Sequence, residues 1–231
     1  MLPKTKYPIF ETKLPSTQKN ISYRQMLVRD EKILLIAKAS AEQADIYRAV
    51  KQVVNNCIFD VSIDKLTTFD IEYMFIKIRS ASIGNTVELS FKDLEDQEEY
   101  NFIVDLDEVY MVYPEDVDAI VKLSDTMALK LRYPPATLFD DEKAIGDNAY
   151  EWIASKCIDT VLDGDDVYST EDSTEEELLD YIMSLDTKSY NKVKSFIANM
   201  PRLEYIISYT NKHETVRKLA LTTLTDFFTL R

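Results

Sequence analysis

Apolar side chains at Ile46, Ala49, Val50, Val53, Val54 and Cys57 follow the i, i+3, i+4, i+7, i+8, i+11 spacing of one buried helical face. A second such face runs through "LTTFDIEYMFIKIRSASIGN" at Ile71, Met74, Phe75 and Ile78. Thr67 or Thr68 is placed to cap that helix, Asp70 and Glu72 sit in its positive first turn, and Gly84 stands where a left-handed C-terminal residue is wanted. A shorter helix is expected over "RDEKILLIAKAS", and two short strands, "YPIFETKLP" and "NISYRQML", precede it around the turn "STQK". After Gly84 the period becomes two. "NTVELSF", "EEYNFIVDL", "EVYMVYP" and "MALKLRYPP" read as strands, with a short helix expected over "PEDVDAIVKL".

Beyond Pro134-Pro135 the pattern reads as helical. Helices are expected over "DNAYEWIASKCIDTVL", "STEEELLDYIMSL" with a Ser173–Glu176 capping box, and "SYNKVKSFIANM". A last helix is expected over "HETVRKLALTTLTDFFTLR", with Val216, Leu219, Ala220, Leu224, Phe227 and Phe228 on one stripe. The expected fold is therefore α+β. Residues 1–135 form a domain of short strands and amphipathic helices with a small antiparallel sheet, and residues 136–231 an acidic, mainly helical region.

Charge narrows the range of functions. The 231 residues carry a formal net charge of −14, which disfavours nucleic acid and anionic lipid as partners. The imbalance is local: residues 1–60 hold 10 Lys and Arg against 6 Asp and Glu, whereas residues 139–180 hold 2 against 15. The start, "MLPKTKYPIF", lacks an apolar signal core, and no apolar run approaches a membrane span.

Chemistry-bearing patterns are sparse. His213 is the sole histidine, in a polar turn, which is poor material for a catalytic triad or a histidine metal site. With Gly164 at position 6 of a calcium loop, Asp159, Val161 and Asp163 fall at positions 1, 3 and 5 and Thr170 where the bidentate glutamate belongs, so two required ligands fail. Only 3 glycines are present and no phosphate-cradling glycine string occurs. Cys57 and Cys157 are expected to be buried free thiols. Acid pairs such as Asp105/Asp107 and Asp140/Asp141 lack a neighbouring nucleophile or metal signature. No catalytic residue, cofactor or metal is expected, and the chain reads as a binding protein rather than an enzyme.

Two blocks carry a resemblance. "YPIFETKLPSTQKNISYRQMLVRDEKILLIAKAS" contains Leu14-Pro15, Tyr23-Arg24 and the Val28–Lys32 run, and "KLTTFDIEYMFIKIRSASIGNTVELSF" contains Phe69–Phe75 and Arg79–Gly84. Together, over about residues 7 to 110, they resemble the baseplate hub subunit and hub-assembly proteins of T-even-type contractile-tailed phages. The resemblance implies a non-enzymatic structural subunit or assembly chaperone of the central hub. Its partners would be other hub proteins and the spike or tape-measure protein, with a homo-oligomer possible. It would be located in the virion tail baseplate, or in the host cytoplasm during assembly. The alternatives are an acidic regulatory binding module or a small hydrolase with an unrecognised carboxylate site.

Arg24 and Arg79 fall in the recurring blocks and are candidates for partner or structural contacts. The acidic segment nominates Asp163, Asp165 and Asp166 as a dock for a basic partner. Phe227 and Phe228 would either meet a partner or close the chain's own core.

Overall fold

A computed structural model describes residues 6–40, 42–115, 117–144 and 148–227. It divides into two compact units, residues 1–112 with 202–231 and residues 113–201.

Unit one opens with the hairpin of β1 (Ile9–Lys13) and β2 (Asn20–Arg24), paired antiparallel from Ile9↔Arg24 to Lys13↔Asn20. Helices α1 (Val28–Ser40), α2 (Gln43–Cys57) and α3 (Thr68–Ile83) follow, then the hairpin β3 (Thr86–Lys92)–β4 (Glu99–Asp105) and the short strand β5 (Tyr110–Val112). Unit two inserts here. It comprises β6 (Ile120–Lys122), β7 (Met127–Leu131), α4 (Ala149–Cys157), β8 (Ile158–Asp163), β9 (Asp166–Ser169), α5 (Glu175–Met183) and α6 (Thr187–Ala198). The chain then returns to unit one with β10 (Arg202–Thr210), β11 (Val216–Leu221) and the four-residue α7 (Leu224–Phe227).

In unit one, α2 packs on α3, and Val50, Val53, Val54 and Cys57 of α2 and Ile71, Met74, Phe75 and Ile78 of α3 are all fully buried. The N-terminus of α3 is closed by a capping box: Thr67 accepts from the Asp70 amide and Asp70 accepts from the Thr67 amide. The second oxygen of Asp70 accepts from the Ser16 amide at 3.0 Å, tying the β1–β2 turn to the helix start.

A second core lies between the β3–β4 hairpin and the sheet β11-β10-β5. It holds Ile76, Val87, Val104, Leu106, Leu203, Ile207, Leu221 and Phe227. Polar contacts between turns close its far end: the Tyr209 hydroxyl donates to Asp93 at 2.8 Å, and the Lys212 amide donates to Asp96 at 2.9 Å.

Gly84 ends α3 at φ 121°, ψ 161°, a region that only glycine visits freely, and a Cβ there would meet nothing within 4 Å. Gly84→Ala is therefore expected to cost about 1–3 kcal/mol through backbone strain alone. Urea unfolding checks this, and an unchanged midpoint would mean that the backbone relaxes out of that conformation.

Unit two is a four-stranded antiparallel sheet, order β6-β7-β8-β9, whose inner face packs on α4, α5 and α6. Its core contains Val121, Leu129, Leu131, Trp152, Ile153, Cys157, Ile158, Ile182, Val193 and Phe196, with Tyr133 stacked on Phe196 at 4.7 Å.

The C-terminal part is not mainly helical as the periodicity implied, because strands run through it. The expected last helix is instead β11 followed by α7. Val216, Leu219 and Ala220 satisfy helical spacing, but "VRKLAL" also alternates, sending Leu219 and Leu221 inward and Val216, Lys218 and Ala220 outward. Pairing with β10, rich in aromatic and β-branched side chains ("RLEYIISYT") and without a counterpart among the expected elements, decides for strand. The expected helix over 147–162 stops at Cys157, where the β-branched run Ile158, Thr160 and Val161 leaves as β8. "PEDVDAIVKL" contributes β6 rather than a helix, since Ile120–Lys122 pairs with β7. The capping box on α5 is Thr174–Glu177, one residue later than expected.

Candidate interaction surfaces

Arg24 lies at the end of β2 with its guanidinium buried. It donates to Asp30 at 2.7 Å, to the Gln25 carbonyl at 2.8 Å and to the Asn56 carbonyl at 2.7 Å. Asp30, in the first turn of α1, also accepts from the Leu27 amide at 2.9 Å and the Asn56 amide group at 3.1 Å. Burial pushes the Asp30 carboxyl upward, but hydrogen bonds from Arg24, Leu27 and Asn56 outweigh it and hold the group below its ordinary value. Burial likewise opposes the charge on Arg24, and Asp30 more than restores it. The node joins β2, α1 and the end of α2, so Arg24 acts inside the molecule.

Arg79 is also buried, on α3, and burial alone lowers its pKa. On the same helix Glu72 is pushed up to about 7 by desolvation. Between an unfolded value near 4.5 and about 7, folded Glu72 holds a proton that the unfolded chain has lost, so its contribution to stability falls as pH rises through that window. The stability gained by Glu72→Gln should therefore grow from pH 4.5 to 7 and then level off. Urea midpoints for both proteins at pH 4.5, 6, 7 and 8 test this, and a pH-independent difference would show that Glu72 is not desolvated.

Asp163, Asp165 and Asp166 sit on the β8–β9 hairpin, where Asp163 pairs with Asp166 across the loop Gly164-Asp165. This part of the acidic segment is thus a hairpin. Gly164 takes φ 60° at the first loop position, a conformation that favours glycine. All three aspartates are exposed, and among the described residues no cation pairs with them. The two basic residues of 139–180 are engaged elsewhere. Lys143 and Lys156 both reach Glu175, at 2.7 and 3.1 Å, where the Trp152 indole N–H also donates at 2.6 Å. These three partners, Lys143 foremost, hold Glu175 down at about 2. One carboxylate therefore takes both lysines of the segment.

Phe227 is 1% exposed, within the core of Leu203, Ile207 and Leu221, so its ring serves packing in unit one. Phe228 lies outside the described residues. Cys57 and Cys157 are free and buried, each pushed up to about 12 by burial, which keeps them as thiols. His213 is exposed in the β10–β11 turn, where its amide donates to the Asn211 side chain.

One surface was not foreseen. On α1, Val28 (82% exposed), Leu35 and Ile36 (64% exposed) point to solvent beside Arg29, Lys32 and Lys38, while Leu34 and Ala37 face the core. The signal was present in "VRDEKILLIAKAS", whose apolar positions exceed what one buried stripe can use. Among the described residues, no group of three or more His, Cys, Asp and Glu could hold a metal ion, and no helix is long and apolar enough to cross a membrane.

These features define a protein with a buried structural ion pair, Arg24–Asp30, and charged and apolar surfaces around its cores. The model of the family described as T4 bacteriophage base plate protein matches residues 7–229, nearly the whole chain. The chain belongs to that family and is a phage tail baseplate protein of the T4 type. No curated protein and no solved structure matches it.

Proposed function

We propose that this baseplate protein works in the central hub, as a non-enzymatic structural subunit or assembly chaperone acting through protein–protein contacts. Unit two would dock a basic hub, spike or tape-measure surface. The observation that carries this reading is the uncompensated hairpin: Lys143 and Lys156 both bind Glu175, and Asp163, Asp165 and Asp166 are exposed with no cation paired to them among the described residues. The charge is concentrated there as well. Unit two holds 8 basic and 20 acidic residues, net −12, against 19 and 21, net −2, in unit one. Such a field attracts basic surfaces and repels nucleic acid and like-charged proteins. The buried roles of Arg24 and Asp30 and the elevated thiol pKa values agree with a chain built for assembly rather than turnover.

The triple substitution Asp163→Asn, Asp165→Asn, Asp166→Asn is expected to slow association with isolated hub complexes at low salt. Raising salt from 0.1 to 1 M, where screening shortens from about 10 to about 3 Å, should slow the unsubstituted chain within the roughly 10- to 1,000-fold range of electrostatic steering. Binding insensitive to both changes would reduce the acidic segment to a solubility feature. Quantitative mass spectrometry of purified particles separates the two hub roles: a fixed copy number marks a subunit, and absence marks a chaperone.

A further inference from the structure

Strand β9 is terminal in its sheet, and all four of its residues are exposed, including Val167 at 68%. Among the described residues only β8 pairs with it, so half of its backbone donors and acceptors face outward. Next to this edge, on the sheet face that carries Val161 and Tyr168, is a cleft of about 300 Å³. Its apolar wall is Met127, Val161, Leu178, Tyr168 and Tyr181. Its charged groups are the carboxylates of Asp163 and Glu177, with Ser169, Thr170 and Ser173 also on its polar side, and Glu177 is engaged in the α5 capping box. Among the described residues the Tyr181 hydroxyl oxygen, buried in this wall, has no hydrogen-bond partner, and the charge of Asp163 acts on it.

An unpaired edge and a cleft reached from alternate positions along it are the two parts of recognition by strand addition, in which main-chain bonds hold the segment and a pocket selects its side chain. The composition of the cleft selects that side chain. A long aliphatic stem suits Met127, Val161 and Leu178, and a cationic head suits the Tyr181 oxygen and Asp163. Lysine and arginine alone combine both, and the charge of unit two excludes acidic competitors.

The geometry points to β9 as the docking edge for an extended, lysine- or arginine-bearing segment of another protein, which adds as a fifth strand and places one basic side chain in the cleft beneath Tyr181. This deepens the docking role proposed for unit two and rests on it.

Calorimetric titration of the full chain with the peptide acetyl-Val-Lys-Val-Lys-Val-Lys-Val-amide tests the inference. Three comparisons accompany it: the glutamate counterpart of the peptide, a copy N-methylated at every backbone amide, and the chain variant Tyr181→Phe. Expected are saturable binding of the lysine peptide, at least tenfold loss on N-methylation, no binding of the glutamate peptide, and a roughly threefold or greater loss in Tyr181→Phe. Equal binding of the N-methylated peptide overturns strand addition while leaving an electrostatic dock in place. Absence of binding by the lysine peptide, or equal binding of the glutamate peptide, overturns the cleft assignment. The docking role itself then stands or falls on the triple asparagine substitution at the hairpin.

Discussion

Phe75→Ala is expected to destabilise the protein by about 3–5 kcal/mol, the range for removing a large buried ring. Phe75 is fully buried on α3, on the same stripe as Ile71, Met74 and Ile78, in the helix that packs on α2. Every neighbour on that face is also fully buried, so little surface is free to collapse into the void, and the upper half of the range is expected. Chemical denaturation of variant and parent gives the number, and a loss below about 1 kcal/mol would remove Phe75 from the core. Because the β1–β2 turn is bonded to Asp70 at the start of the same helix, the hairpin should lose protection together with α3 in hydrogen exchange.

Asp30→Ala is the second large effect, at about 3–5 kcal/mol, because it strands the buried Arg24 charge. The loss comprises more than one contact: Leu27 and Asn56 also lose their acceptor. Asp30 has a folded pKa below its unfolded one, so its stabilisation is complete above the ordinary carboxylate range and disappears as pH falls through the lowered folded value. The difference between Asp30→Ala and the parent should therefore be constant from pH 5 to 8 and narrow in acid. Arg24→Met in the Asp30→Ala background should recover part of the loss by removing the orphaned cation. If the double variant is as unstable as the two single losses added together, the pair does not act as a unit.

Much of unit one could be read from its residues because its signals are local. Thr67 and Asp70 are three apart, the α2 and α3 stripes each lie within one element, and Gly84 marks the helix end by its own conformation. The C-terminal strands could not be read this way, because their structure is decided by distant partners. "VRKLAL" fits either period, and only β10 alongside it selects strand; β10 itself is held from its other side by β5, some ninety residues earlier. The insertion of residues 113–201 between those two strands leaves no mark in composition near Tyr113.

Surfaces showed the same division. The exposure of Asp163, Asp165 and Asp166 follows from their charge, since 15 acids cannot be matched by two lysines. Which carboxylate takes those lysines depends on the fold bringing Lys143, Trp152 and Lys156 to the start of α5. By sequence alone Arg24 suits either a partner contact or a structural one. Asp30, six residues away, settles its role only once α1 turns back onto β2.

In the proposed role, this family member acts in the hub by docking its acidic unit on a basic protein surface. Zero-length carbodiimide coupling on assembling tails, read by mass spectrometry, tests it most directly, because that chemistry joins a carboxylate only to an amine in contact with it. Expected are couplings from Asp163, Asp165 or Asp166 to lysines of a hub, spike or tape-measure protein, lost at 1 M salt and in the triple asparagine variant. Couplings to hub proteins that arise only from unit one, or that survive both treatments, would contradict it.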